Sequence, residues 1–268
     1  MKQSLLIVLA WSVILISCDP KPQSRYDRYF DDGTLRIDYF HTGNATSEEV
    51  KIDATYRYAQ WAGSKINLID SLNYGAYYHK IYDEASQELL YSKGFDSYFK
   101  EYQMSSPAIA GEAKEFHESA IIPLPKSTII FALEKRQADG EMKEVYRTMI
   151  KAQDAQEAKS DHEVKVFASL DNGMSNTKAD IAIIGEGYTA AEEGKFKADL
   201  ERFTEIFFRA EPCLSNKQNF NIRGVFKPSV DSGIDEPKAG IDKKTAVNAT
   251  FNTMGSERYV LTEDNKAL

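Results

Sequence analysis

The stretch 180–229, DIAIIGEGYTAAEEGKFKADLERFTEIFFRAEPCLSNKQNFNIRGVFKPS, constrains the fold more than any other part of the chain. It opens with a short apolar run, 181–184, of the kind a buried strand uses, breaks at Gly185-Glu186-Gly187, and resumes with helical spacing. Thr189 and Glu192 stand three apart, as a capping box requires: the hydroxyl accepts from the third helical N–H, and the carboxylate reaches back. Phe196, Leu200, Phe203 and Phe207 follow at intervals of four, three and four, which predicts that they share one helical face. Lys195, Lys197, Asp199, Glu201 and Arg202 fall on the others, and Pro212 marks the end. A second run, 220–226, completes a β-α-β unit, expected to be parallel and right-handed. An α/β domain with a helix over its sheet begins here.

At 268 residues the chain is longer than a usual single domain, so two domains are expected. Residues 26–150 carry β signals. Leu35, Ile37 and Tyr39 alternate with polar residues, and Val50, Ile52, Ala54, Tyr56 and Tyr58 do so strictly, which predicts one face on a core and one in water. Residues 61–70 and 76–82 read as strands around a turn at Asn73-Tyr74-Gly75. Residues 127–133 and 142–150 flank Asp139-Gly140, a hairpin signal. The intervening 86–118 reads as a helix or a long loop. Many short strands with regular turns predict a β-sandwich. Residues 151–163 are charged and aperiodic, a linker, and the second domain, 164–268, starts with a strand at 164–170.

The first eighteen residues read as an export signal. Lys2 supplies the positive charge, 5–16 the apolar core, and Leu15-Ile16-Ser17-Cys18 a lipobox whose cysteine is acylated after cleavage. Residues 19–25 would then be a tether, and the protein a membrane-anchored lipoprotein of the bacterial envelope, at the outer membrane or cell surface. With Cys18 lipidated, Cys213 has no disulfide partner and is expected to pack as a small apolar residue. The net charge of -8, without any Lys/Arg cluster, argues against a nucleic-acid partner.

The strand DIAIIGEGYT, the Phe-rich helix, and FNIRGVFKPSVDSGID followed by a mixed-charge run to ERYVL resemble the catalytic domain of the bacterial IgA-peptidase family, metallopeptidase family sixty-four. The chain after its signal is similar throughout to the two-domain members, in which an all-β domain precedes the peptidase. The glycine-bracketed stretch 185–189 is the most specific piece, although the family often has Asp where Glu186 stands. The resemblance implies an α+β two-domain fold, an all-β sandwich followed by an α/β zincin-like domain. It further implies one zinc, a metal-activated water, a catalytic Glu and a protein or peptide substrate. The family's HExxH helix would lie beyond Leu268, so the domain reads as incomplete and the fragment as inactive.

No catalytic, cofactor-binding or metal-ligating residue is assigned. A zinc peptidase needs two histidines one helical turn apart, with a Glu between them. His117-Glu118 leads to Ile121 and His162-Glu163 to Val166; neither completes the motif. All four histidines, with His41 and His79, precede the peptidase-like stretch and read as surface residues. Asp231, Asp235 and Glu236 lack calcium-loop spacing. Glu186 and Tyr188, where a strand meets a helix, would border a substrate cleft in a complete enzyme. The plainer reading, favoured here, is a tight glycine turn on which Tyr188 packs. Tyr56, Tyr58, Trp61, Tyr77 and Tyr78 read mainly as packing residues. The alternative is a non-enzymatic binding module that holds a glycan or protein on the β-sandwich.

Overall fold

The computed structural model describes residues 23–253 and 259–268; the signal segment, Cys18 and the first part of the tether lie outside that range. Helix α1 (Arg25–Tyr29), capped by the Ser24 hydroxyl, leads into eight strands. These are β1 (Phe30–Gly43), β2 (Glu48–Tyr58), β3 (Tyr77–Asp83), β4 (Leu89–Phe95), β5 (Lys114–Pro125), β6 (Ile129–Arg136), β7 (Met142–Ile150) and β8 (Gln156–Glu157). They form two four-stranded sheets, ordered β5-β1-β2-β8 and β4-β3-β6-β7. One buried cluster draws on both sheets, joining Leu35, Ile37, Tyr39 and Ile122 to Tyr77, Ile81, Phe131 and Leu133. Two sheets with a common core make the expected sandwich. Each fully buried Leu, Ile or Phe contributes roughly 1.5–3 kcal/mol to it.

The alternation in β2 is misleading, and the register shows why. Asp38 pairs with Ala54, but the next residue, Tyr39, pairs with Ile52, so Asp53 is an extra residue in β2. A bulge of this kind switches the face that a strand presents. Val50 and Ile52 therefore lie opposite His41 and Tyr39 on the core side. Tyr56 and Tyr58 lie opposite Arg36 and Thr34 on the outer side. Five residues that the spacing puts on one face are divided between two.

The expected strand at 61–70 is irregular chain. The Ser64 hydroxyl accepts from the Ile66 and Asn67 N–H groups, which closes a local turn in place of a ladder, and Trp61 donates its ring N–H to the Ser64 carbonyl. Residues 86–118 resolve into β4, two short helices, α2 (Tyr98–Gln103) and α3 (Ser106–Ile109), and the start of β5. The first half of the 151–163 segment is attached to the sandwich. Ala152 and Ala155 are buried in its core, and β8 pairs in parallel with β2.

Beyond it, β9 (Lys165–Leu170), β10 (Ala179–Gly185), helix α4 (Glu193–Phe207) and β11 (Phe220–Phe226) form the β-α-β unit and its neighbour. The sheet order is β10-β11-β9; β10 and β11 are parallel, and β9 runs antiparallel to β11. Both halves of the Thr189–Glu192 capping box are present ahead of α4. The buried ridge of the helix is Phe196, Leu200 and Thr204, continued by Phe208 just past its end, a spacing of four, while Phe203 is 44% exposed. Thr204 takes the place predicted for Phe203 because its hydroxyl is satisfied twice. It donates to the Leu200 carbonyl and accepts from Ser169 at 2.8 Å. Half-buried Cys213 packs against this cluster.

Strands β12 (Thr250–Phe251) and β13 (Val260–Leu261) pair antiparallel, and 262–268 then returns across the outer face of the first sheet. Lys114 meets Glu263 at 2.7 Å, Asn265 donates to His117 Nδ1 at 3.0 Å and to Ser119 at 2.9 Å, and Lys266 meets Asp53 at 2.9 Å. The bulged Asp53 is thus a docking point for the far end of the chain.

Candidate functional site

Two glycines fix the turn between β10 and α4. A Cβ on Gly185 would lie 2.8 Å from the Phe196 ring, and one on Gly187 would lie 2.3 Å from the Gly233 carbonyl oxygen. Gly187 also has φ +71, a region open to glycine and costly for most side chains. Between them, Glu186 accepts from the Val247 N–H at 3.0 Å, the Ala249 N–H at 2.9 Å and the Thr245 hydroxyl. Three donors occupy its two oxygens, so it holds the 245–249 loop against the turn. Tyr188 faces α4 instead. Its hydroxyl donates to Asp199 at 3.0 Å, its ring meets Phe196 edge-on, and Lys195 Nζ lies 4.7 Å from the ring centroid. Burial, then Asp199, raises the phenol's pKa, while Lys195, Arg202 and Tyr188 hold the Asp199 carboxyl down at about 2. The turn places Glu186 and Tyr188 against different partners.

The acidic run beyond β11 is also committed to backbone. Asp231 accepts from the Lys244 N–H at 2.9 Å and Asp235 from the Lys243 N–H, which closes the loop between them.

Two histidines read as surface residues are in the sandwich core: His41 and His79 are buried. The signal was available, since His41 continues the inward series Leu35, Ile37, Tyr39, and His79 lies between Tyr77 and Ile81. His41 Nε2 is 2.9 Å from Glu48 and Nδ1 is 3.1 Å from Glu118. With an ionised carboxylate at each nitrogen, the ring satisfies both when it is an imidazolium, donating from Nδ1 and Nε2. Burial opposes that charge, but Glu118 and Glu48 outweigh it and raise the pKa. Burial likewise opposes ionisation of both carboxyls, and their hydrogen bonds, led by His41, win and lower them. The string continues from Glu48 to Lys135 at 2.6 Å, and from Glu118 to the Ser97 hydroxyl. His79 is the opposite case. Stacked on Phe95 at 4.2 Å and 2.9 Å from the Tyr39 hydroxyl, it is held neutral by burial, its pKa driven down to about 3.

His117 and Glu118 are neighbours on a strand, not a helix, and point to opposite faces. His117 lies on the outer face, 3.0 Å from Asp53, and His162 is exposed. The donor set present does not fit zinc. Both nitrogens of His41 are engaged by carboxylates, at 3.1 and 2.9 Å, so neither is open to a metal ion. Among the described residues no group of three or more His, Cys, Asp or Glu side chains is arranged to hold a metal ion.

The outer face also carries a cavity of about 360 Å³, lined by Arg36, Tyr56, Tyr58, Gln156 and Lys266. Tyr56 and Tyr58, which the register places on the outer side, form part of its wall. Arg36 is bound bidentately by Asp38 at 2.6 and 2.8 Å and lies over the Tyr56 ring at 5.6 Å.

No curated protein matches the chain. Two family models do, in consecutive order: Peptidase M64 N-terminus over residues 25–147, and IgA Peptidase M64 over residues 167–268. The first spans the sandwich and the second the β-α-β unit with the loops that follow. The chain therefore belongs to the M64 family of peptidases, the IgA peptidases.

Proposed function

We propose that this chain supplies the N-terminal sandwich and the opening β-α-β unit of an exported, zinc-dependent protein hydrolase. The single observation that carries this reading is the succession of the two family matches along one chain. In this reading Cys18 bears the lipid anchor, and Glu186 and Tyr188 lie at the border of the substrate cleft. Residues 164–268 contain no histidine and no HExxH motif, so none of them is assigned as a zinc ligand or as the catalytic Glu. Alone, residues 1–268 leave peptide bonds intact. The test assays a polypeptide of residues 19–268 on a casein substrate, with and without a chelator. No chelator-sensitive cleavage is the expected result. Cleavage by 19–268 that tracks stoichiometric zinc would overturn the reading. Mass spectrometry of the membrane fraction checks the anchor, which requires an acylated N-terminal Cys18.

A second reading, a binding module for a glycan or protein, is favoured by the cavity on the outer face, where Tyr56 and Tyr58 stand beside Arg36. Tyr rings offer an apolar face together with a polar edge, which suits a ligand with both kinds of surface. A glycan screen in which Tyr56→Ala removes every hit supports it; an empty screen removes it.

A further inference from the structure

At the junction between the sandwich and the returning C-terminal segment lies a second cavity of about 360 Å³, within the range of small-ligand sites. Phe95, Tyr98 and Phe116 give it aromatic walls, and Asp96, Glu118 and Glu263 give it carboxylates; no lysine or arginine lines it. Two of the three carboxylates are balanced from outside the cavity, Glu118 by His41 and Glu263 by Lys114. Asp96 accepts one hydrogen bond, from the Ala76 N–H at 3.1 Å, and among the described residues meets no cation. The cavity therefore carries a negative charge in an aromatic setting.

The chain contains its own example of what such a setting holds. Immediately beside the cavity, Lys114 Nζ sits 2.7 Å from Glu263 and 5.1 Å from the centroid of Phe116. An ammonium there is bound by a carboxylate and a ring face together, the combination that favours cations over neutral groups of the same size. From this geometry we propose that the cavity binds a cationic side chain, the ammonium of lysine or the guanidinium of arginine, presented by a polypeptide ligand. Asp96 would meet the charge, and Phe95, Tyr98 and Phe116 the aliphatic stem. The site shares no lining residue with the outer cavity of Tyr56 and Tyr58 and does not depend on catalysis by this chain.

The test is a heteronuclear NMR titration of the full chain with three capped amino acids, N-acetyl-lysine methylamide, N-acetyl-arginine methylamide and N-acetyl-norleucine methylamide. Norleucine keeps the stem and lacks the charge. The lysine and arginine compounds should give saturable shifts around residues 95–98 and 116–118, with norleucine about tenfold weaker. Asp96→Asn still accepts from Ala76, so the fold survives; it should weaken both cations about tenfold and leave norleucine unchanged. Tyr98→Leu should weaken them through the wall instead. Equal affinity for norleucine and lysine, an unaltered response in both variants, or no saturable shift with either cation would overturn the proposal.

Discussion

His41 and His79 lie in one core, share Tyr39 as a near neighbour, and are pushed to opposite protonation states by what surrounds them. A buried group follows its hydrogen-bond partners: two carboxylates make His41 a cation, while a phenol and two rings leave His79 neutral. Their linkage to folding has opposite signs. His41 is raised above the ordinary 6.5, so its stabilisation is complete below 6.5 and is lost as pH rises through the raised value. His79 is depressed to about 3, so its contribution is complete above 6.5 and falls away as pH drops toward 3. Glu48 and Glu118, lowered from 4.5, add to the loss on the acid side. Stability should thus fall from pH 6.5 to pH 5, by about 2 kcal/mol from His79 alone. His79→Phe should flatten that limb, because the unfolded chain then has no imidazole at this site to protonate. Urea midpoints at the two pH values check this; an unchanged slope in the variant would place the acid sensitivity elsewhere. His41→Phe leaves two partly buried carboxylates without their common cation, and the loss expected at pH 6.5 is about 3–5 kcal/mol, read from the same unfolding curves and shrinking as pH rises through the raised His41 value.

Elements here are set by single residues that local periodicity does not reveal. The turn into α4 has two such determinants, and they should separate by size. Thr189→Ala removes a cap hydroxyl and should cost about 1 kcal/mol. Gly187→Ala forces a methyl against the Gly233 carbonyl at a positive φ and should cost more, with the 231–244 loop displaced, as thermal denaturation and amide shifts would show. Much of this unit was legible from the sequence. The capping box, the apolar strands and the parallel pairing all depend on contacts near in sequence, or on a connection too long for a hairpin. What was not legible depends on a partner strand. The extra residue at Asp53 is visible only in the β1–β2 register, so Tyr56 and Tyr58 could not be seen to face outward. Thr204 displaced Phe203 because Ser169, on another strand, satisfies its hydroxyl. Residues 61–70 have strand-like composition, but Ser64 spends their N–H groups locally. The candidate site was legible only as the pair Glu186 and Tyr188. Their partners, the 245–249 loop and Asp199, come from segments whose placement no spacing rule supplies.

At the scale of the molecule, the sandwich and the peptidase-like part are joined twice, by the chain at 158–164 and by the segment 262–268 lying on the first sheet. The second junction is polar. Its ion pairs, Lys114 with Glu263 and Lys266 with Asp53, are both partly exposed, and such pairs contribute roughly 0.2–1 kcal/mol each. Asn265 adds two hydrogen bonds, and it requires His117 Nδ1 to be an acceptor while Nε2–H donates to Asp53. Nothing in this set approaches the burial of the sandwich core, so the segment should open locally without unfolding either part. Its amides at Asp264 and Ala267, which donate to Thr262 and Asp264, report that opening. In hydrogen exchange they should lose protection several-fold in 1 M salt, while core amides such as Ile37 and Phe131 hold theirs. Charge reversal separates the ion pair from general screening. Glu263→Lys sets two ammonium groups against each other and should speed exchange at both amides. Adding Lys114→Glu restores an opposite pair and should slow it again, though not fully, because the ring contacts of Lys114 with Phe116 and Tyr102 are lost. If the double reversal exchanges as fast as the single one, electrostatic pairing does not hold this segment, and the junction rests on Asn265 and its neighbours.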